Sequence, residues 1–345
     1  MRAAFAIPGD LQTVTGGYLY EKRLLEGLKE LGLEMTHVRV GDSFPRPTAS
    51  HAEEATTAMR SVPSDVPLII DGLVFGSLPT TLMSTITAPI VAMIHHPLAH
   101  EEGLDTATRE HLFRTERDNL TLASAVIVPS PHTARILTAE YGVAPAVMTI
   151  ARPGTQQPTL PHAPSAPPLI LSVGIQHPRK GHDVLLRALA RLIDLDWQAV
   201  IVGTPYDARH VAELARLHRE LGLSGRVELA GAVSDDERDQ LYARASIFAL
   251  ATRYEGYGLV FDEALARGLP IVSCATGAVP ETVPADAGML VPVDDAAALA
   301  EALGTLLTEP ERRATLAAAA VVAGAALPTW RDTCSIARRV LASLH

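Results

Sequence analysis

Cysteine is nearly missing from this chain: Cys274 and Cys334 are the only two in 345 residues. Two thiols cannot build a disulfide scaffold, which points to a reducing, cytoplasmic setting. Long apolar runs are missing too. The amino terminus, MRAAFAIPGD, is apolar only from Ala3 to Ile7 before Pro8 and Asp10, too short for a secretory signal. Later stretches are interrupted by Asp71, Pro79 and Pro89, or form a short alanine run near 317–326. No transmembrane segment is therefore expected. A basic half is absent as well: residues 1–155 hold 12 basic and 17 acidic side chains, residues 156–345 hold 17 and 22, so each half carries −5 of the total −10. That balance excludes nucleic acid as an expected partner and disfavours a broad anionic membrane surface. No strand is followed by G-x-G-x-x-G, so the dinucleotide fingerprint is excluded.

What the chain does have is alternation. Short β-branched runs at 2–8, 34–40, 66–71, 89–95, 125–130 and 147–152 predict strands, with helical periods between them, such as 18–32 ending at Gly32. The second half repeats the scheme, with strands at 169–174, 198–203, 227–231, 246–251, 270–274 and 288–293. Helices are predicted at 182–193, 207–221 and 235–245, the last opened by the capping box Ser234-x-x-Glu237. Strand–helix alternation in both halves predicts an α/β protein of two doubly wound Rossmann-like domains. Residues 155–168, TQQPTLPHAPSAPP, carry five prolines and no periodicity and read as a linker. The expected division is 1–154, linker 155–168, second domain 169–328, and a terminal helix 329–345 packing back on the first domain. Ligands of such sheets bind beyond the carboxyl ends of the strands, here expected in a cleft that the two domains face.

Several candidate groups fall at those ends. Thr15-Gly16-Gly17 follows the first strand and opens the first helix, where backbone amides can receive an anion or a sugar. Arg179 and Lys180 sit just past strand 169–174, and Lys180 is one of three lysines in a chain whose other basic residues are arginine. Arginine grips phosphate bidentately and lysine supplies a compact charge. Glu255 follows strand 246–251 and is trailed by Gly256-Tyr257-Gly258, and a helix begins at Leu259 with Glu263 about one turn inside. The spacing of eight between the glutamates carries nothing, since Glu26/Glu34 and Glu220/Glu228 share it. The order does: strand, carboxylate, glycine bend, helix amides, carboxylate. Two carboxylates beside a phosphate site would repel the phosphate, so hydroxyls of a sugar and a ribose are their expected partners. A glycosidase would not need the adjacent cations.

His95 and His96 end strand 89–95, also at a carboxyl end. A metal site from His96, His100 and Glu101 lacks a further ligand of clear source, and Asp194-Leu195-Asp196 lies at the amino edge of a strand, where a solvated turn is expected. No metal is expected.

Taken together, RYEGYGLVFDEALARGLPIV, GAVPETVP and AGMLVPVDD resemble the donor signature of the family 4 retaining glycosyltransferases of GT-B fold. VGIQHPRKGHDVLLRAL resembles that family's phosphate-binding segment. TGGYLYEKRLLEGL, VAMIHHPL, VIVPSPHTARIL and RPGT resemble its first-domain landmarks, in the expected order. The resemblance implies that Glu255 holds hydroxyls of the transferred sugar, that Gly256, Tyr257, Gly258 and Leu259 meet sugar and diphosphate, and that Glu263 binds the nucleotide ribose. Arg179 and Lys180 match the diphosphate cations, His95 the histidine near the reacting sugar, and Gly16 and Gly17 the loop over the phosphates. One departure stands out: the arginine that many members place after the glycine of the "VG" strand is Ile175 here.

The implied activity is transfer of a hexose-type sugar from a nucleoside-diphosphate sugar to a hydroxyl acceptor bound on the first-domain side. Retention of configuration is implied, with no cofactor and no metal, because fixed cations stabilise the leaving diphosphate. A sugar-nucleotide epimerase of the same fold and a non-catalytic binding protein are the rival expectations.

Overall fold

The computed structural model describes residues 1–11, 15–101 and 103–345. It divides into two compact units, Met1–Gly154 with Pro328–His345, and Thr155–Leu327. In unit 1, β1 (Arg2–Pro8) leads into α1 (Gly16–Glu30), β2 (Glu34–Val40) into α2 (Ala49–Arg60), and β3 (Leu68–Asp71) into the short α3 (Gly72–Phe75) and α4 (Thr80–Met83). After β4 (Ile90–Met93) come α5 (Thr106–Leu120), β5 (Ala125–Val128), α6 (Pro131–Tyr141) and β6 (Met148–Ile150). The strands form one sheet in the order β2-β1-β3-β4-β5-β6, and every pair is parallel. The order reverses between β1 and β3, which opens a crevice at their carboxyl ends.

Unit 2 runs through β7 (Leu169–Val173), α7 (His182–Ala190), β8 (Gln198–Val202), α8 (Ala208–Glu220), β9 (Val227–Gly231), α9 (Asp235–Arg244) and β10 (Ala245–Leu250). It continues with α10 (Leu259–Ala266), β11 (Ile271–Cys274), α11 (Val279–Thr282), β12 (Gly288–Val291), α12 (Ala296–Thr308) and α13 (Pro310–Ala325). Its sheet order is β12-β11-β10-β7-β8-β9, again all parallel. The reversal falls between β7 and β10. Helices cover both faces of each sheet, so the central strands read as unbroken apolar runs: Leu-Ile-Ile in β3, Ile-Val-Ala-Met in β4 and Ala-Val-Ile-Val in β5 are all buried. Strands β1, β2 and β9 have the predicted bounds, β10 is shifted by one residue, and the other eight are one to three residues shorter than their sequence runs, because ladder pairing frays at strand ends.

The proline-rich stretch is not free in space. Ala163 and Ser165 amides donate to the carbonyls of Ala243 and Arg244, and His162 Nε2 bonds the Ala245 carbonyl at 2.8 Å, so the segment lies along unit 2. The last helix, α14 (Trp330–Ala342), belongs to unit 1. Thr329 and Asp332 form its capping box, and Thr333 Oγ1 donates to the Arg152 carbonyl at 2.7 Å. Gly27 lets α1 approach it, since a Cβ there would collide with Cys334 Sγ. Both cysteines are unpaired and buried, and burial pushes each thiol up to about 11. Among the described residues no single helix is long and apolar enough to cross a membrane.

Candidate active site

In unit 2 the predicted residues converge at the reversal point. The chain leaves β7 at Gly174, makes a 3₁₀ turn over Pro178–Lys180, and enters α7 through Gly181. Gly181 is required there: its φ is +63°, and a Cβ would collide with the Ala251 carbonyl. That close approach brings the turn against the loop leaving β10. Arg179 Nη1 donates to the Tyr254 carbonyl at 2.8 Å, and the Arg179 carbonyl accepts from the Arg253 amide at 2.7 Å. Arg253 reinforces the join through a fork on Asp183, at 3.1 and 3.0 Å, and a third bond to Asp294 at 2.7 Å.

Glu255 is the hub. Its side chain is 6% exposed. Oε1 accepts from Lys180 Nζ at 2.6 Å and from Thr252 Oγ1 at 3.0 Å, and Oε2 lies 3.6 Å from Arg179 Nη1. Burial alone would raise its pKa, but Lys180 and Arg179 outweigh it and hold the carboxyl below its usual range. Burial lowers the pKa of Lys180, and Glu255 opposes that shift. The backbone of Glu255 is fixed from behind: its carbonyl accepts from the Ala278 amide at 2.9 Å, and Gly277, at φ +52°, leaves no room for a Cβ beside it. Arg179, Lys180 and Glu255 thus form one ion-pair cluster, with two positive charges against one negative.

After Gly256-Tyr257 the bend is taken by Gly258, at φ +93°, as the N-cap of α10. No side chain caps this helix, so the amides of Leu259 and Val260 remain for an anion, where the helix dipole favours one. Glu263 sits one turn inside, partly buried, with Oε2 accepting from Tyr242 Oη at 3.0 Å. Asp262, which faces inward, is held by Tyr257 Oη at 2.5 Å. With Ile175 at the usual arginine position, Arg179 is the guanidinium that this loop brings to Glu255.

In unit 1, Thr15 caps α1 by accepting from the Tyr18 amide at 3.4 Å. Gly17 abuts His95: a Cβ on it would stand 3.6 Å from His95 Cδ2. The two first-domain landmarks, fused to different strands, therefore meet at the β1/β3 reversal. His96 Nε2 pairs with Glu101 Oε1 at 2.5 Å, while His100 Nε2 pairs with Glu140 Oε2 at 3.0 Å. Asp194 and Asp196 are exposed in the turn before β8.

The structure adds residues that sequence reading missed. Glu21, Asp71 and His95 bring ligand-type atoms within 4.8 Å of one another. Glu21 and Asp71 are hydrogen-bonded to each other, which requires a proton on one of them, so the group fits a proton better than a cation. The signal was present: Glu21 stands among Tyr20, Leu24, Leu25 and Leu28 on the buried face of α1, and Asp71 ends an apolar strand. Thr252, Arg253 and Tyr242 gave no such signal, because their roles depend on loops 70 or more residues away or on a neighbouring helix.

Residues 160–321, inside unit 2, match the family described as Glycosyl transferases group 1. A GDP-mannose-dependent alpha-(1-6)-phosphatidylinositol monomannoside mannosyltransferase of Mycolicibacterium smegmatis is 34% identical over 177 residues, 48% of this chain and 44% of the relative. A D-inositol 3-phosphate glycosyltransferase of Corynebacterium diphtheriae is 30% identical over 243 residues, 65% of this chain and 57% of the relative. The chain spans about half the length of these curated relatives. Sucrose-phosphate synthase of Thermosynechococcus elongatus superposes with a TM-score of 0.83, covering 99% of both chains at 22% identity. That likeness is one of fold, and the fold is the two-unit GT-B type.

Proposed function

We propose that this chain is a retaining glycosyltransferase that moves a hexose from a nucleoside-diphosphate sugar to a hydroxyl acceptor. The observation that carries the reading is the Lys180–Glu255–Arg179 cluster beside the uncapped start of α10. A diphosphate needs fixed positive charge and free amides, and a sugar needs a buried carboxylate that accepts from hydroxyls. Here both lie on two loops clamped together at one strand reversal.

In this reading the diphosphate rests on the α10 amides and on Arg179 and Lys180, and Glu255 accepts from the sugar hydroxyls. Glu263, steadied by Tyr242, takes the ribose. The bond from the anomeric carbon to phosphate oxygen breaks as the acceptor oxygen bonds the same face, and the acceptor proton passes to the leaving phosphate. Charge developing on that phosphate meets the cations and amides already in place; one such donor is typically worth about 3 kcal/mol. No carboxylate base and no metal is assigned a step. Gly16, Gly17 and His95 take the phosphate-loop and sugar-side roles that the resemblance implies. The unpaired, buried cysteines support a cytoplasmic setting.

The donor to try first is GDP-mannose, which the name of the mannosyltransferase relative carries. A thermal-shift panel of nucleoside-diphosphate sugars should raise Tm with the true donor and with its diphosphate. Incubation with donor and hydroxyl acceptors should then release diphosphate only when an acceptor is present. Release with an altered free sugar and no acceptor would make it an epimerase; binding without turnover would make it a binding protein. No shift with any donor would sink the reading.

A further inference from the structure

Two carboxyls are buried beneath His95 in unit 1. Glu21 is 1% and Asp71 3% exposed. Asp71 Oδ1 caps α3 by accepting from the Leu73 amide at 2.9 Å, and the two carboxyls are hydrogen-bonded to each other. Glu21 Oε1 then points at His95 Nε2, 3.6 Å away. The imidazole is boxed in: the Tyr20 ring packs edge-on at 5.3 Å, Gly17 passes its Cδ2–Nε2 edge, and Thr133 Oγ1 donates to the His95 carbonyl at 3.3 Å. A structural acid could be served by one carboxyl. Two of them in an apolar setting cannot both be charged without large cost.

We propose that Glu21 and Asp71 hold one proton between them and act as a positioning pair for His95, presenting one negative charge at Oε1 that keeps the imidazole proton on Nε2 and Nδ1 as its lone-pair atom. The tautomer of a histidine is set by what its other nitrogen meets. The surrounding groups support the charge state. Burial pushes Glu21 up to about 7 and, with Glu21 beside it, raises Asp71 well above the carboxylate range. Asp71 therefore keeps the proton and Glu21 is the member that ionises near neutrality. Burial lowers the pKa of His95, so the ring is neutral. The other titratable groups facing the pair are Tyr20, raised by burial, and Tyr18, pushed to about 12 by burial and by Asp71, Glu21, Asp42 and Asp10. Neither ionises near neutral pH.

The test is nitrogen NMR of the histidine side chains in the full chain, with His95→Gln used for assignment. His95 should stay neutral from pH 6 to 8 and carry its proton on Nε2 at pH 8, where Glu21 is ionised, with a small inflection of its shifts near pH 7 as Glu21 takes up a proton. Glu21→Gln should abolish that inflection, and Asp71→Asn should keep it near pH 7, because the amide donates to Glu21 as the protonated Asp71 does. An inflection that survives Glu21→Gln, or a His95 that itself protonates with its ordinary pKa, would overturn the proposal. So would added zinc binding at His95 and erasing the inflection, which would assign the group to a cation. If Glu21→Gln fails to fold, the wild-type tautomer at pH 8 and the inflection in Asp71→Asn still decide, and an inflection lost from Asp71→Asn would overturn the proposal. A second measurement rests on the transferase reading: Glu21→Gln should lower kcat about tenfold to a hundredfold with donor KM within about twofold, and flatten the pH profile of kcat near 7. A chain without turnover would defeat that reading while leaving the NMR result to stand.

Discussion

Lys180 and Glu255, 75 residues apart in sequence, meet at 2.6 Å in the crevice between β7 and β10. Neither would be stable there alone. Burial disfavours the charge on each, and each offsets the other, with Arg179 adding a second cation at 3.6 Å. A ligand that enters with its own negative charge and hydroxyls can take over these partners, which is why a buried ion pair at a strand reversal reads as a prepared site.

Lys180→Ala should lower turnover with donor and acceptor by about a hundredfold to a thousandfold, as for loss of one donor to a developing oxyanion. Arg179 remains to face Glu255, so the variant should fold, with unchanged far-ultraviolet circular dichroism and a lowered Tm. Wild-type turnover in this variant would remove Lys180 from the mechanism.

Gly277→Ala should disable donor binding without touching a ligand. Its Cβ would collide with the Glu255 backbone at a position of φ +52°, so Glu255 must shift. Gly32→Ala is the control: φ is +83° there as well, but a Cβ meets nothing within 4 Å. Both variants should lose Tm from backbone strain, and only Gly277→Ala should also lose the donor-induced thermal shift.

Tyr242→Phe removes the hydroxyl that holds Glu263 Oε2 at 3.0 Å and keeps the ring stacked on Phe248. A hydrogen bond to a charged group is worth about 1.5–3 kcal/mol. Donor KM should rise about tenfold with kcat nearly unchanged. An equal fall in kcat, measured by steady-state kinetics, would place Glu263 in the chemical step instead.

Glu116 tests burial by pH. It is fully buried on α5, with Oε2 accepting from the Leu98 amide at 3.1 Å, and burial pushes it up to about 8 from about 4.5. Its folded pKa is raised, so the folded chain keeps a proton that the unfolded chain loses. Stability from this group is greatest below about pH 4.5, falls as pH rises to about 8, and is level above. Glu116→Gln cannot ionise. Thermal unfolding of the two proteins should agree at pH 5 and diverge by several degrees at pH 8, with the variant higher. Parallel curves would contradict the raised pKa.

The legible parts were local. Hydrophobic runs located the twelve strands of the described residues to within a few positions: central strands covered on both faces are apolar throughout, while the edge strand β2 alternates buried and exposed residues in its second half. The capping box Ser234–Glu237 was readable because both its partners lie within one turn, and it forms as read. The candidate site was legible as an order of residue types after strand ends. Its partners were not: Glu21 was visible only as a carboxylate on a helix face otherwise occupied by Tyr20, Leu24, Leu25 and Leu28, and nothing in the sequence joins it to Asp71.

Sequence by itself determined which residues are strand, helix or bend, and that Lys180, Arg179 and Glu255 stand at carboxyl ends of strands. Those properties depend on neighbours a few positions away. Only the tertiary structure decided that Lys180 caps Glu255, that Glu263 turns to Tyr242, and that Glu21 and Asp71 share a hydrogen bond under His95. These pairings follow from the order of strands in each sheet: the reversal between β7 and β10, and between β1 and β3, brings together loops that the chain itself keeps apart.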